Sequence, residues 1–249
     1  MGERLRLGRL TKVVANGARW IGQDDWPSGQ VWADEVEQLL QHLDCHDRFE
    51  TVLPNLRGDN RQRNSAIAEA RVAFWFCRNG FKITQWEPKV TNQPGDLEVC
   101  WQAGTPIFVE IKQPTWESEL SEKERDEGRK RKPRFIHAEA RSFDSDGVVR
   151  YAAEKSLGKL ANDRPNLVVV AENTFVSPLD GAGHESISFW LDDPKYDRIG
   201  AIMCFDVVQW AGNEKIEYRT LFVENPRAAG KPWQIPAAVT EGLFVGNPT

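Results

Sequence analysis

The stretch PGDLEVCWQAGTPIFVEIKQP, Pro94 to Pro114, carries three side chains suited to phosphoryl chemistry: Asp96, Glu110 and Lys112. Two alternating apolar runs within it predict a β-hairpin. In the second run Ile107, Val109 and Ile111 alternate with Phe108, Glu110 and Lys112, so one face is aliphatic and Glu110 and Lys112 share the other. In the first run Leu97, Val99 and Trp101 form the apolar set, which leaves Asp96 and Glu98 opposite them. Register decides which acids meet, because a one-residue slip turns every side chain to the other face. A loop at Gln102–Gly104 brings Asp96 to Glu110, a loop at Ala103–Thr105 brings Glu98 there, and a two-residue Ala-Gly turn separates them. Gly104 suits the left-handed position of a three-residue hairpin loop.

A third acid, Glu69, lies on a helix predicted over 65–79, with Asn64 or Ser65 as N-cap and Gly80 as terminator. Its helical neighbours Ala66, Val72, Ala73 and Phe76 make it a lone carboxylate in an apolar stripe, and such a group needs a partner if buried. Carboxylates gathered from three elements repel one another unless some are protonated or a cation sits among them, and hard divalent ions such as Mg2+ take oxygen sites of this kind. A lysine beside such a cation can hold an attacking water or stabilise charge on a phosphoryl group. The cation itself lowers the pKa of water and polarises phosphate, so phosphodiester hydrolysis is the natural reaction.

The elements that must position these groups follow in order. After the helix, FKITQWEPKV, DLEVCWQ and PIFVEIK predict three strands; a helix follows around 148–162, then a buried strand NLVVVAE. SISFWL, AIMCFDVV and KIEYRTLFV are further strand candidates. This α-β-β-β-α-β order predicts an α/β fold with a mixed central β-sheet flanked by helices. Ahead of it, VWADEVEQLLQHLDCHDRF repeats Val36, Leu39, Leu40 and Leu43 at helical spacing. The expected layout is a helical lead-in over 1–60 packed on the main domain, an α/β core with extra strands over 61–225, and an extension over 226–249. Pro/Gly clusters near 225–236 and 246–249 read as surface connection and tail.

With PGD at 94–96 and EIK at 110–112, after an acid-bearing helix and before a helix and strand, the chain resembles the PD-(D/E)xK, or restriction-endonuclease-like, nuclease superfamily. The resemblance covers about Asn64 to Asn173. It implies Asp96 and Glu110 as ligands of Mg2+ or Mn2+, Lys112 as the catalytic lysine, Glu69 as an accessory acid, and the Ile111 backbone carbonyl as a further metal contact. Gly95 departs from the pattern by standing between the proline and the acid; the acid alone carries the chemistry. The resemblance also implies cleavage of DNA rather than RNA, as an endonuclease, with a homodimer or a partner subunit both open.

A net charge of −5 does not by itself suggest general electrostatic wrapping of nucleic acid, so any polyanion site must be local. One candidate is the segment 123–134, where seven basic residues, among them Arg129, Lys130, Arg131 and Lys132, outnumber three acids. A solvated loop balanced by the acidic run 117–127 explains it equally well. On the later helix Tyr151, Lys155 and Lys159 recur every four residues; Lys155 is the candidate to face the site, and Lys159 reads as facing water. Trp116 is a candidate base-stacking residue, though core packing explains most of the ten Trp residues. His42 and His46 have metal-binding spacing but no neighbouring ligand in sequence, and read as helix surface; His137 and His184 receive no role.

Four well-separated cysteines without a CxxC pair, no apolar run after the basic N-terminus, and no apolar stretch long enough for a bilayer predict reduced thiols and a cytoplasmic, non-membrane protein. The sequence therefore predicts a Mg2+- or Mn2+-dependent nuclease. Its rivals are a nucleic-acid-binding or complex-assembly module of the same fold without useful catalysis, and an enzyme using the same metal site on a small phosphorylated molecule.

Overall fold

A computed structural model of the chain describes residues 6–18, 29–90, 93–113, 145–172, 181–209, 216–231 and 234–243. The elements are α1 (Arg9–Ala15), α2 (Gln30–Cys45), α3 (Phe49–Leu56), α4 (Asn60–Arg78), β1 (Phe81–Trp86), β2 (Leu97–Trp101), β3 (Ile107–Lys112), α5 (Ser145–Ser156), β4 (Asn166–Glu172), α6 (Gly181–Leu191), β5 (Ala201–Val208), β6 (Glu217–Glu224) and α7 (Ala237–Leu243). Among the described residues no helix is long and apolar enough to cross a membrane.

The six strands form one sheet in sequential order. The pairs β1–β2, β2–β3 and β5–β6 are antiparallel, whereas β3–β4 and β4–β5 are parallel. The sheet is therefore mixed, as its strand order in the sequence predicts. The two parallel joins are the ones whose connections contain α5 and α6.

Both faces of the sheet are covered, so its central strands are apolar on both sides. On one face Val72, Phe76, Val109, Val169 and Phe205 join α4 to the strands; on the other Phe108, Val149, Val168, Ile187 and Ile202 join α5 and α6. A third cluster packs α1, α2 and α3 on the outer side of α4, with Leu39, Leu40 and Leu56 fully enclosed. Each such leucine contributes about 1.5–3 kcal/mol by leaving water. Helix α4 is thus sandwiched between the helical layer and the sheet, and its position fixes Glu69.

One buried polar network ties these layers together. The Arg71 guanidinium of α4 donates to both oxygens of Glu35 on α2, at 2.7 Å each, and the Tyr218 hydroxyl of β6 donates to Glu35 Oε1 at 2.8 Å. Burial opposes the Arg71 charge, but the adjacent Glu35 carboxylate holds its pKa above the ordinary value.

Several sequence expectations change. Helix α4 begins at Asn60, because Asp59 and Gln62 form a reciprocal capping box upstream of the expected cap. Its far end is as expected, with Gly80 at φ +84°. The helical run before it breaks at Asp47, φ +56°, into α2 and α3. SISFWL lies in α6 rather than in a strand: Ile187, Trp190 and Leu191 are buried at helical spacing while Phe189 is 85% exposed. The segment read as a surface connection also enters the core, through Ala228 and Ile235, and Val239 beyond it is buried as well.

Candidate metal centre

The hairpin adopts the loop that brings Asp96 to Glu110. Leu97 pairs with Val109, Glu98 with Phe108 and Val99 with Ile107, which places the turn at Gln102–Gly104. The left-handed loop residue is Gln102, φ +52°, rather than Gly104. The β2–β3 ladder ends at Leu97↔Val109, while β3 continues beside β4 through Glu110, Ile111 and Lys112. Beyond that end the Ile111 amide donates to Asp96 Oδ2 at 2.5 Å, so a carboxylate takes the place of a strand carbonyl. The Ile111 contact seen here is through its N–H; the expectation for this residue concerned its carbonyl.

Gly95 has a packing reason. A Cβ there would stand 2.2 Å from Cζ of Phe108, so only glycine lets the chain pass over that ring and deliver Asp96 beside Glu110. The β1–β2 connection is held by Gly95 N–H to Pro88 O and Glu87 N–H to Asp96 O, both at 3.0 Å.

Glu110 is completely buried. Its Oε1 accepts from Lys112 Nζ and, at 2.8 Å, from Lys159 Nζ. Its Oε2 is buried without a hydrogen-bond partner among the described residues. An unpartnered oxygen in such a place is costly, and a cation beside it would satisfy it.

The neighbouring acids sense one another. Burial, then the negative charge of Glu110, raises the Asp96 pKa; the Ile111 amide, Lys112 and Lys159 offset part of that rise. Burial, then the charge of Asp96, raises the Glu69 carboxyl to about 7, although Ser65 donates to it at 3.4 Å. Burial works against the Lys159 charge, yet the hydrogen bond and charge of Glu110 outweigh it and hold its pKa up. Asp96, Glu110, Lys112 and Glu69 therefore form one electrostatic cluster. Buried carboxylates crowded around an orphaned oxygen, with Glu110 raising the pKa of Asp96 and Asp96 raising that of Glu69, are a donor set suited to Mg2+ or Mn2+.

A cavity of about 230 Å³ opens onto this cluster, with Glu69, Glu87, Asp96, Lys159, Arg48 and Trp86 in its wall. Arg48 pairs with Glu87 and stacks its guanidinium 5.3 Å from the Trp86 ring centroid. Glu87 and Arg48 carry no reading in the sequence; the only signal for Glu87 was an EP turn after β1.

Lys159, expected to face water, reaches the site, whereas Lys155 is exposed with its ammonium 5.3 Å from the Tyr151 ring centroid. The reason is helix length. Helix α5 stops at Ser156 rather than near 162, and a turn closed by Lys159 N–H to Ser156 O swings Lys159 away from the helical progression. Arg129, Lys130, Arg131, Lys132, Trp116 and His137 lie outside the described residues.

A second group of ligand-type side chains lies near the cavity. One ligand atom each of His42, His46 and Cys77 falls within 4.8 Å of the others. His42 is half-buried rather than a surface residue, its Nε2 has no hydrogen-bond partner among the described residues, and burial followed by repulsion from His46 lowers its pKa to about 4.

No family model and no curated protein matches the chain. Among solved structures it is similar to SfsA of Pyrococcus furiosus in complex with Ca2+, at 16% identity and a TM-score of 0.29, over 67% of this chain. The chain spans 65% of that protein's length.

Proposed function

We propose that the chain is a divalent-metal-dependent nuclease of the PD-(D/E)xK kind, an endonuclease acting on DNA in preference to RNA. The observation that carries this reading is Glu110: one oxygen bridged by two lysines and the other buried, unpartnered, in a cluster with Asp96 and Glu69.

In this reading Asp96 and Glu110 hold Mg2+ or Mn2+, with Glu69 as the accessory acid and the Ile111 backbone beside them. The ion, when bound, supplies positive charge to a phosphodiester and makes water more acidic. Lys112, 23% exposed, orients the attacking water and stabilises the charge that gathers on the phosphoryl oxygens. Lys159 fixes the Glu110 carboxylate from the opposite element, so that its free oxygen keeps one direction. The raised Glu69 pKa lets that acid carry a proton near neutral pH and give it up when a cation arrives.

Purified protein incubated with supercoiled plasmid, single-stranded DNA and RNA, in Mn2+, Mg2+ or EDTA, tests the proposal. Metal-dependent cleavage that falls at least about 100-fold in Lys112→Ala supports it. A net charge of −5 favours the second reading, a binding or assembly module of this fold. Nucleic-acid binding without metal-dependent cleavage selects that module.

A further inference from the structure

We propose that His42, His46 and Cys77 form a second metal site, suited to Zn2+ and separate from the carboxylate cluster. Its ligands are softer than those of the carboxylate cluster: two imidazoles and a thiol suit Zn2+, whereas Mg2+ and Mn2+ take oxygen.

Three observations converge on it. His42 and His46 stand one helical turn apart at the end of α2, with ring centroids 4.6 Å apart. Cys77 arrives from the last turn of α4, so the cluster is assembled by tertiary packing and not by local spacing. Nε2 of His42 is enclosed without a hydrogen-bond partner among the described residues, which a helix-surface histidine has no reason to be. Its ring is held edge-on to Phe74 at 5.4 Å, and His46 lies 6.1 Å from Trp86, the same tryptophan that walls the acidic cavity.

The geometry suits a tetrahedral ion. Bonds of about 2.0–2.1 Å to nitrogen and about 2.3 Å to sulfur put ligand atoms about 3.5 Å apart. Side-chain rotations of about an ångström close the observed 4.8 Å limit to that spacing. His46 is exposed, so water reaches the cluster and supplies the fourth ligand. Because its ligands come from α2 and α4, a bound Zn2+ fastens the N-terminal helical layer to the helix that carries Glu69. Zinc binding therefore raises the thermal midpoint, by an amount that grows with the logarithm of free Zn2+ over its Kd.

Co2+ is the probe. Metal-stripped protein is titrated with Co2+ in excess Mg2+, which occupies oxygen sites, and read by visible and near-ultraviolet absorption. The expected result is one equivalent of tetrahedral Co2+ with a thiolate charge-transfer band, displaced by Zn2+. The band persists in Cys45→Ser and in Glu110→Gln and disappears in Cys77→Ser. Zn2+ affinity, measured against a chromophoric chelator, falls at least about tenfold in His46→Ala, whose exposed position leaves the apo fold intact. The proposal is overturned if no thiolate band forms, if the band survives Cys77→Ser, or if His46→Ala binds Zn2+ like the parent. Because Glu110→Gln and Lys112→Ala leave these ligands in place, the nuclease reading and this one fail independently.

Discussion

Lys159 donates to Oε1 of Glu110 at 2.8 Å from the turn after α5, on the same oxygen that accepts from Lys112. Two ammonium groups on one oxygen leave the other, unpartnered among the described residues, to face a cation. If Lys159 fixes that orientation, Lys159→Met lowers metal-dependent cleavage about tenfold or more, whereas Lys155→Met, on an exposed residue, changes it less than twofold. Steady-state rates over a Mn2+ titration check this, and equal effects of the two substitutions contradict it.

Glu69 gives a pH-dependent stability with a definite sign. Its pKa is about 7 in the folded chain against an ordinary 4.5. Below the ordinary value both folded and unfolded chains hold the proton and nothing is lost. Between the two values the unfolded chain ionises first, so the folded state loses stability as pH rises, and above 7 the loss is constant. Glu69→Gln, melted in EDTA, therefore matches the parent near pH 4 and gains on the order of 1–3 kcal/mol at pH 8. A gain independent of pH, or a loss at pH 8, contradicts the assignment.

The pairing of Arg71 with Glu35 is the buried polar link between α2, α4 and β6. Removing one member strands the other in a dry site. Arg71→Met should lower stability in urea by about 3–5 kcal/mol, and adding Glu35→Leu should restore most of it. A single-mutant loss under about 1 kcal/mol would mean that the pair is solvated.

Gly95→Ala tests the route of the chain into the site. The added methyl collides with the Phe108 ring, which is itself fully enclosed, so the segment bearing Asp96 has to shift. The expected outcome is a weaker Mn2+ affinity together with a loss of about 1–3 kcal/mol. Gly95→Ala combined with Phe108→Leu, which shortens the ring side chain, should recover affinity; unchanged affinity in the single variant removes this role for Gly95.

The hairpin was legible because its two apolar alternations fix the faces and only a few loops join them, so Asp96, Glu110 and Lys112 were found from local pattern. The order of helix and strands gave the mixed sheet for the same reason. SISFWL was misread because a short apolar run fits strand and helix alike, and tertiary packing of Ile187, Trp190 and Leu191 decided the matter. Lys159 reads in the sequence as facing water because a helix stop three residues earlier, which periodicity cannot foresee, redirects it to Glu110. The pairing of Arg48 with Glu87 and the meeting of His42 with Cys77 are contacts between distant segments, and no spacing in the chain encodes them.

If the carboxylates around Glu110 hold a divalent cation, crystals soaked in Mn2+ show an anomalous-scattering peak within bonding distance of Asp96 and of Glu110 Oε2, lost in Glu110→Gln. An empty cluster at saturating Mn2+, or a peak confined to His42, His46 and Cys77, contradicts it.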